Sequence, residues 1–249
     1  MTDLASRKQC IYPARVVVLI ALLATAALAL RTGASSNTKS AKAAGRSGAV
    51  ETASEKAYGS KTAPITIEIF SDYQCPQCRN LFEQTLRPMI ADYVAAGKVY
   101  LVHRDYPLAR PDHKYSGQAA RWADSAARIG QFAAVEAALY DNAPAWEADG
   151  NIEKYVASAL SAADFKRLQK LMQGCEAPGP AGRPDAFVAA PHPCAIDASI
   201  QQDVLLGNGV PVNATPTYVI TYKGQRLPPG AGFVSWPVLK QFLDNLLNQ

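Results

Sequence analysis

The sequence predicts an α/β domain in which a strand–helix–strand unit is separated by a block of helices from a last strand and helix. Three observations carry that reading. A β-branched run, Ile65-Thr66-Ile67-Glu68-Ile69-Phe70, is followed by apolar residues at helical spacing and then by a second β-rich run from Val99. From His113 to about Gln173 the pattern is helical throughout, and only at Thr215 does a third β-rich run begin.

A chain of 249 residues with 49% hydrophobic composition can build one full-sized core. Its formal net charge is +4, but residues 1–61 hold nine Lys/Arg against three Asp/Glu, leaving sixteen against eighteen in the rest. The folded part is therefore slightly acidic and has no basic stripe. That gives no electrostatic reason to expect a nucleic-acid partner.

Val16 to Leu30 form an uninterrupted apolar run, preceded by Arg7, Lys8 and Arg15 and followed by Arg31, the layout of an export signal within residues 1–31. Fifteen residues rise only ~22 Å as a helix, which suits a cleaved signal peptide with Ala27-Leu28-Ala29 as its cleavage site. Counted from Ile11, the segment of about residues 11–30 is long enough to stay as an inner-membrane anchor, with Arg15 snorkelling to the headgroups, and this is the favoured reading. Either one expects an extracytoplasmic domain, periplasmic or in the cell envelope. Residues 32–61 are mostly Ser, Ala, Gly, Thr and Lys and read as a disordered linker. The domain then occupies 62–249.

Within it, Ile65 to Phe70 is the first strand. From Cys78 the apolar positions Leu81, Phe82, Leu86, Met89, Ile90, Tyr93 and Val94 recur at helical spacing until Gly97. Pro76 suits the first turn of that helix, whereas Pro88 lies inside it and should kink it. Val99 to His103 is the second strand, and this order implies a right-handed parallel crossover. Helices are expected over 116–128, 131–141, 151–160 and 161–172, the last with Ser161 and Asp164 as a capping box. They belong to a helical insertion of about 111–195, which ends in a Pro- and Gly-rich loop between Cys175 and Cys194. Another helix runs from Ile196 to about Leu206. After it come the strand at Thr215 to Ile220, a weak return strand at Gln225-Arg226-Leu227, and a final helix capped by Ser235.

The chemistry concentrates at Cys75-Pro76-Gln77-Cys78, between the first strand and the first helix. A helix N-terminus carries partial positive charge and unpaired N–H groups, which stabilise a thiolate and lower its pKa. Cys75 occupies that end. Cys78, one turn further in, can reach the same sulfur and resolve a mixed disulfide that Cys75 forms. A redox dithiol, half of a metal site and an inert disulfide are the three readings of such a pair. Metal is the weakest, because no second ligand pair has zinc spacing, and His103, His113 and His192 read as surface or loop residues.

Phe70-Ser71-Asp72-Tyr73-Gln74-Cys75-Pro76-Gln77-Cys78, Arg104-Asp105-Tyr106-Pro107-Leu108 and Val212-Asn213-Ala214-Thr215-Pro216-Thr217 together resemble the DsbA-like thioredoxin family of thiol-disulfide oxidoreductases. The resemblance spans about Ala63 to Gln249. It implies a thioredoxin fold with an inserted helical subdomain, and a cis Thr215–Pro216 bond lying against the CxxC motif, where Thr215 and Pro216 bind substrate. It also implies cysteine-containing exported client proteins, a membrane redox partner that recycles the dithiol, and no organic cofactor. Relatives often carry an acidic residue on the strand below the cysteines, and Glu68 is the candidate here for a proton relay, with a surface carboxylate as the other reading.

The chain departs from the family's best-known oxidants in having Gln77 where they carry His. A neutral amide supplies no full charge near Cys75, so less thiolate stabilisation is expected. Dithiol exchange, most readily forming disulfides in clients, is the leading function. A reductase or isomerase of exported proteins, or a non-catalytic peptide-binding or chaperone module, are the alternatives. Cys175 and Cys194, in a loop of an exported domain, read as a structural disulfide, with a second redox pair as the other possibility.

Overall fold

The computed structural model describes residues 56–108, 110–175 and 194–249. The apolar segment at 11–30, Cys10, His192 and the loop between Cys175 and Cys194 lie outside them. Among the described residues no helix is long and apolar enough to cross a membrane.

The sheet orders its strands β1-β3-β2-β4-β5, with β6 also paired to β4. β2 (Ile65–Ser71) and β3 (Val99–Asp105) are parallel, joined by the helical segment between them. β4 (Thr217–Tyr222) lies antiparallel on the other side of β2, and Gln225–Arg226 (β5) and Gly230–Ala231 (β6) pair back onto it. β2 is thus central, and its register decides what faces the site. Ile65, Ile67 and Ile69 point into the main core with Cys75 and Cys78, while Phe70 joins Val210, Val212 and Val219 on the opposite face.

α1 (Pro76–Leu81) continues without a break through a π-type turn (Phe82–Leu86), one α turn (Arg87–Met89) and a second π-type turn (Ile90–Val94). Pro88 is accommodated between two widened turns. The insertion comprises α2 (Ser116–Ala127), α3 (Phe132–Asp141), α4 (Ala143–Asp149), α5 (Ile152–Ser158) and α6 (Ala162–Met172). α4 has no counterpart in the sequence pattern. Pro144 sits in its first turn, where no N–H is needed, and Trp146 is wholly buried with its indole N–H donating to the Leu139 carbonyl at 2.7 Å. α7 (Ala195–Gly209) runs through Gly207 and Gly209, beyond the expected stop near Leu206, and packs on α2 and β3. Gly207 is needed there because a Cβ would lie 2.6 Å from the Tyr106 ring. α8 (Trp236–Leu247) closes the main core with Leu239, Leu243 and Leu246.

The expected linker boundary at residue 61 is corrected. Ala57–Tyr58 form β1, antiparallel to β3, and Lys56 is buried. The Lys56 ammonium pairs with Asp105, with Asp203 at 2.8 Å and with Asp124 at 3.5 Å. Composition missed this because a buried lysine held by three carboxylates looks, in sequence, like a solvated one. The histidines are corrected too. His103 and His113 are buried, and the His103 Nδ1 lies 2.9 Å from Glu136 with its Nε2 3.4 Å from Asp105. Burial works against the charged imidazole, but hydrogen bonds and charge from Asp105 and Glu136 outweigh it and lift His103 to about 9.

Candidate active site

Cys75 is the N-cap of α1, with extended backbone angles (φ −76°, ψ 118°), and Pro76 opens the helix. Its N–H donates to the Asp72 carbonyl at 3.1 Å and its carbonyl accepts the first helical bond from Arg79 at 3.1 Å. Cys75 and Cys78 are both free thiols, with Cys75 7% and Cys78 2% exposed, while Pro76 and Gln77 face solvent. A dithiol whose outer member sits just below an exposed dipeptide can meet another protein's sulfur, whereas the inner one cannot.

The Thr215–Pro216 bond is cis, and the turn brings the Thr215 carbonyl within 3.3 Å of Cys75 Sγ. Residues 140 positions apart thereby share one site. The hydrogen bond from Cys78 is the largest influence on the Cys75 thiol. Burial opposes it, and the N–H groups of Cys78 and Gln77 add to it, so that Cys75 falls to about 5. Cys78 goes the other way: burial first, then the hydrogen bond and charge of Cys75, hold it well above its ordinary value. One cysteine is poised as the thiolate and the other as its protonated partner. Gln77 contributes its backbone, and the depression of Cys75 is achieved by donors without a cationic side chain in the dipeptide.

What holds the loop before Cys75 is Asp72, to which the motif by itself assigns no role. Its carboxylate accepts from the Gln74 N–H, the Leu108 N–H and the Ser116 hydroxyl, each at 2.7 Å, and faces His113 Nδ1 at 3.0 Å. Hydrogen bonding to Asp72 raises His113 above its usual range. The Gln74 side chain in turn accepts the Tyr115 N–H at 2.5 Å. The cysteine loop is thus fastened to the start of α2. An aspartate two residues before an N–H it caps is an Asx-turn signal, and that was the clue available.

Glu68 is not brought to the cysteines. Strand alternation turns it away from Ile69 and onto the opposite face, where Arg104 donates to it at 2.7 and 3.0 Å and Arg226 lies at 4.0 Å. Asp203, on α7, completes this pairing from 3.2 Å. Cys175 and Cys194 are joined by a disulfide between the end of α6 and the start of α7, packed on Ala120, Ile196 and Ile200. An apolar groove of about 280 Å³ lies between β4 and α8, lined by Tyr218, Ile220, Leu227, Val234, Val238 and Phe242. Among the described residues no three His, Cys, Asp or Glu side chains are arranged to hold a metal ion.

A family model described as thioredoxin matches residues 51–224. Among solved structures, alpha-DsbA1 of Wolbachia pipientis superposes with a TM-score of 0.54 at 18% identity, covering 78% of this chain and 91% of that one. BdbD of Bacillus subtilis in its oxidised form gives 0.55 at 16%, covering 79% and 94%. A thioredoxin-like oxidoreductase of Silicibacter pomeroyi gives 0.53 at 22%, also covering 79% and 94%. A comparison with curated protein sequences returns no match. Family model and topology agree, and the chain belongs to the thioredoxin family, its helical insertion giving it the DsbA-like form of the fold.

Proposed function

We propose that this protein is an extracytoplasmic thiol-disulfide oxidoreductase that exchanges its Cys75/Cys78 pair with cysteines of exported client proteins, most readily forming disulfides in them. The observation that carries the proposal is the pairing of a lowered Cys75 thiol with a raised Cys78 thiol, under a Thr215 carbonyl 3.3 Å from the reacting sulfur. In the oxidising direction a client thiolate attacks Cys75 Sγ, the Cys75–Cys78 bond breaks, and its electron pair goes to Cys78. A second client thiolate then attacks the client sulfur of the mixed disulfide and expels Cys75 as a thiolate. Two electrons pass to the protein, no organic cofactor takes part, and a membrane redox partner would withdraw them.

Donors that stabilise the Cys75 thiolate favour the reduced form and so the oxidant direction. The relatives' names, two of them of the DsbA and BdbD type, agree with this chemistry. Location outside the cytoplasm rests on the N-terminal apolar segment and on the disulfide at Cys175 and Cys194.

The test is disulfide formation in a reduced test protein by wild type and Cys75→Ser. Wild type should oxidise it and Cys75→Ser should not, and equal activity would sink the proposal. A potential for the Cys75/Cys78 couple near thioredoxin's, about −270 mV, would reverse the direction to reduction. One near about −120 mV supports oxidation.

A further inference from the structure

Asp72 stands just before the reacting cysteine and is 1% exposed. Taking a carboxylate out of water is costly unless donors replace the water. Among the described residues four do so, in two pairs. Oδ1 accepts the Gln74 N–H and the Ser116 hydroxyl, both at 2.7 Å, while Oδ2 accepts the Leu108 N–H at 2.7 Å and faces His113 Nδ1 at 3.0 Å. Two carboxylate oxygens offer about four lone-pair sites, so this group is filled. Because it only accepts, His113 carries a hydrogen on Nδ1. An asparagine in its place would turn an NH2 group toward two donors at one end or the other.

The donors come from both sides of a junction. Gln74 belongs to the cysteine loop, whereas Leu108, His113 and Ser116 follow β3 on the way into the insertion. Two further bonds run beside them. The Tyr106 N–H donates to the Ser71 carbonyl at 2.8 Å, and the Tyr115 N–H donates to the Gln74 side chain at 2.5 Å. The loop is thereby held at residues 71, 72 and 74. Its far end carries the sulfur: the Asp72 carbonyl accepts the Cys75 N–H at 3.1 Å, and Cys75 caps α1 with its Sγ 3.3 Å from the Thr215 carbonyl. None of the four donors to the Asp72 carboxylate is a thiol, so Asp72 acts on Cys75 through the backbone.

We propose that Asp72 is a positioning residue of thiol exchange, its carboxylate tying the cysteine loop to the entrance of the insertion and so keeping Cys75 at the helix end that stabilises its thiolate. The inference rests on the thiol-exchange reading above. When the oxidised pair is reduced, two electrons enter the Cys75–Cys78 bond and break it, Cys75 remaining as the thiolate while Cys78 takes up a proton. A Cys75 displaced from the end of α1 loses part of the stabilisation that the helix N–H groups provide. The reduced form is then less favoured and the thiol titrates higher. Removing the Asp72 charge alone has the opposite sign, because a nearby negative charge disfavours a thiolate. Direction therefore separates positioning from simple charge.

The experiment uses the full chain as wild type, Asp72→Asn and Ser116→Ala. Two quantities are measured: the pH midpoint of Cys75 alkylation in the reduced protein, and the equilibrium constant at neutral pH for reducing the pair with glutathione, two thiols giving one glutathione disulfide. Asp72→Asn should raise the midpoint by about one unit and lower the constant about tenfold, one pKa unit being a factor of ten. Ser116→Ala removes one donor of the four and should lower the constant roughly threefold, with the midpoint moving in the same direction. An unmoved midpoint in Asp72→Asn overturns the proposal, and so does a lowered one, which would make Asp72 a simple negative charge beside the thiol. A carboxylate that only supports the fold gives an earlier unfolding transition with midpoint and constant unchanged, and that result overturns the proposal too. Should Asp72→Asn not fold, Ser116→Ala decides alone, a midpoint and constant at the wild-type values being the negative result. A wild-type pair that does not exchange with glutathione overturns the thiol-exchange reading itself, whereas exchange that ignores both substitutions overturns only this inference.

Discussion

Cys75 and Cys194 have the same burial, 7% exposed, and each is the N-cap of a helix with extended backbone angles. Yet one is a free thiol with a lowered pKa and the other is closed in a disulfide with Cys175. A helix N-terminus therefore does not by itself make a reactive cysteine. Around Cys75 the Cys78 thiol, the Thr215 carbonyl and two backbone N–H groups converge, and the first turn of α1 holds no acidic residue. Around Cys194 the neighbours are Ala120, Ile196 and Ile200, and the first turn of α7 carries Asp197, paired with Arg121 at 2.5 Å. Donors and the absence of a competing negative charge separate the lowered thiol from the disulfide-bonded one.

The comparison can be broken most forcefully at the disulfide-bonded pair. Replacing Cys175 and Cys194 together by Ala should cost about 3 kcal/mol in chemical denaturation, the chain-entropy value for a loop of this length. Exchange through Cys75 and Cys78 should continue at the wild-type rate below the transition. A double variant that stays folded but no longer exchanges would show that the two pairs act together.

The free pair offers a middling effect. Alkylation of Cys75 in the reduced protein should have a midpoint near pH 5. Since that lies below the unfolded value, the thiolate's contribution to folding stability is complete above about 9 and lost as pH falls through about 5. Thr215→Val should leave the midpoint in place, because Thr215 meets Cys75 through its backbone carbonyl, which the substitution keeps. A midpoint that moves would bring the Thr215 hydroxyl into the account of Cys75.

The smallest effect is expected at Glu68. Its pairing with Arg104 is partly exposed, so Glu68→Gln should lower stability by less than about 1 kcal/mol and leave the pH profile of exchange unaltered. A profile that shifts by a unit would return Glu68 to the proton path and set the donors around the cysteines aside.

Much of the scaffold was legible because it is written in periods. The β-branched runs at 65–70 and 99–103 and the helical spacing of the insertion gave elements whose interiors the structure keeps, and Ser161 accepts the Asp164 N–H at 3.1 Å as a cap should. Where the pattern failed, charge or proline hid the element. β1 reads as tether because Lys56, buried among carboxylates, looks solvated in sequence, and α4 escapes the helical pattern because Pro144 stands in its first turn.

The sequence by itself determined the strand–helix junction that makes Cys75 an N-cap, the reach of Cys78 one turn on, and the pairing of both with a distant Thr-Pro. These are local geometries or motif resemblances, and they survive without knowledge of neighbours. Only the tertiary structure decided which side chains meet those sulfurs. Glu68 and Ile69 differ by one step along β2, and that step places the carboxylate on Arg104 and the isoleucine in the core with Cys75 and Cys78. The reason is the two-residue period of a strand, whose phase relative to the following helix depends on the link between them and on what packs on each face. Asp72 gathers its four partners from residues 74, 108, 113 and 116 for the same cause: hydrogen bonds across sequence distance exist only once the chain has closed on itself.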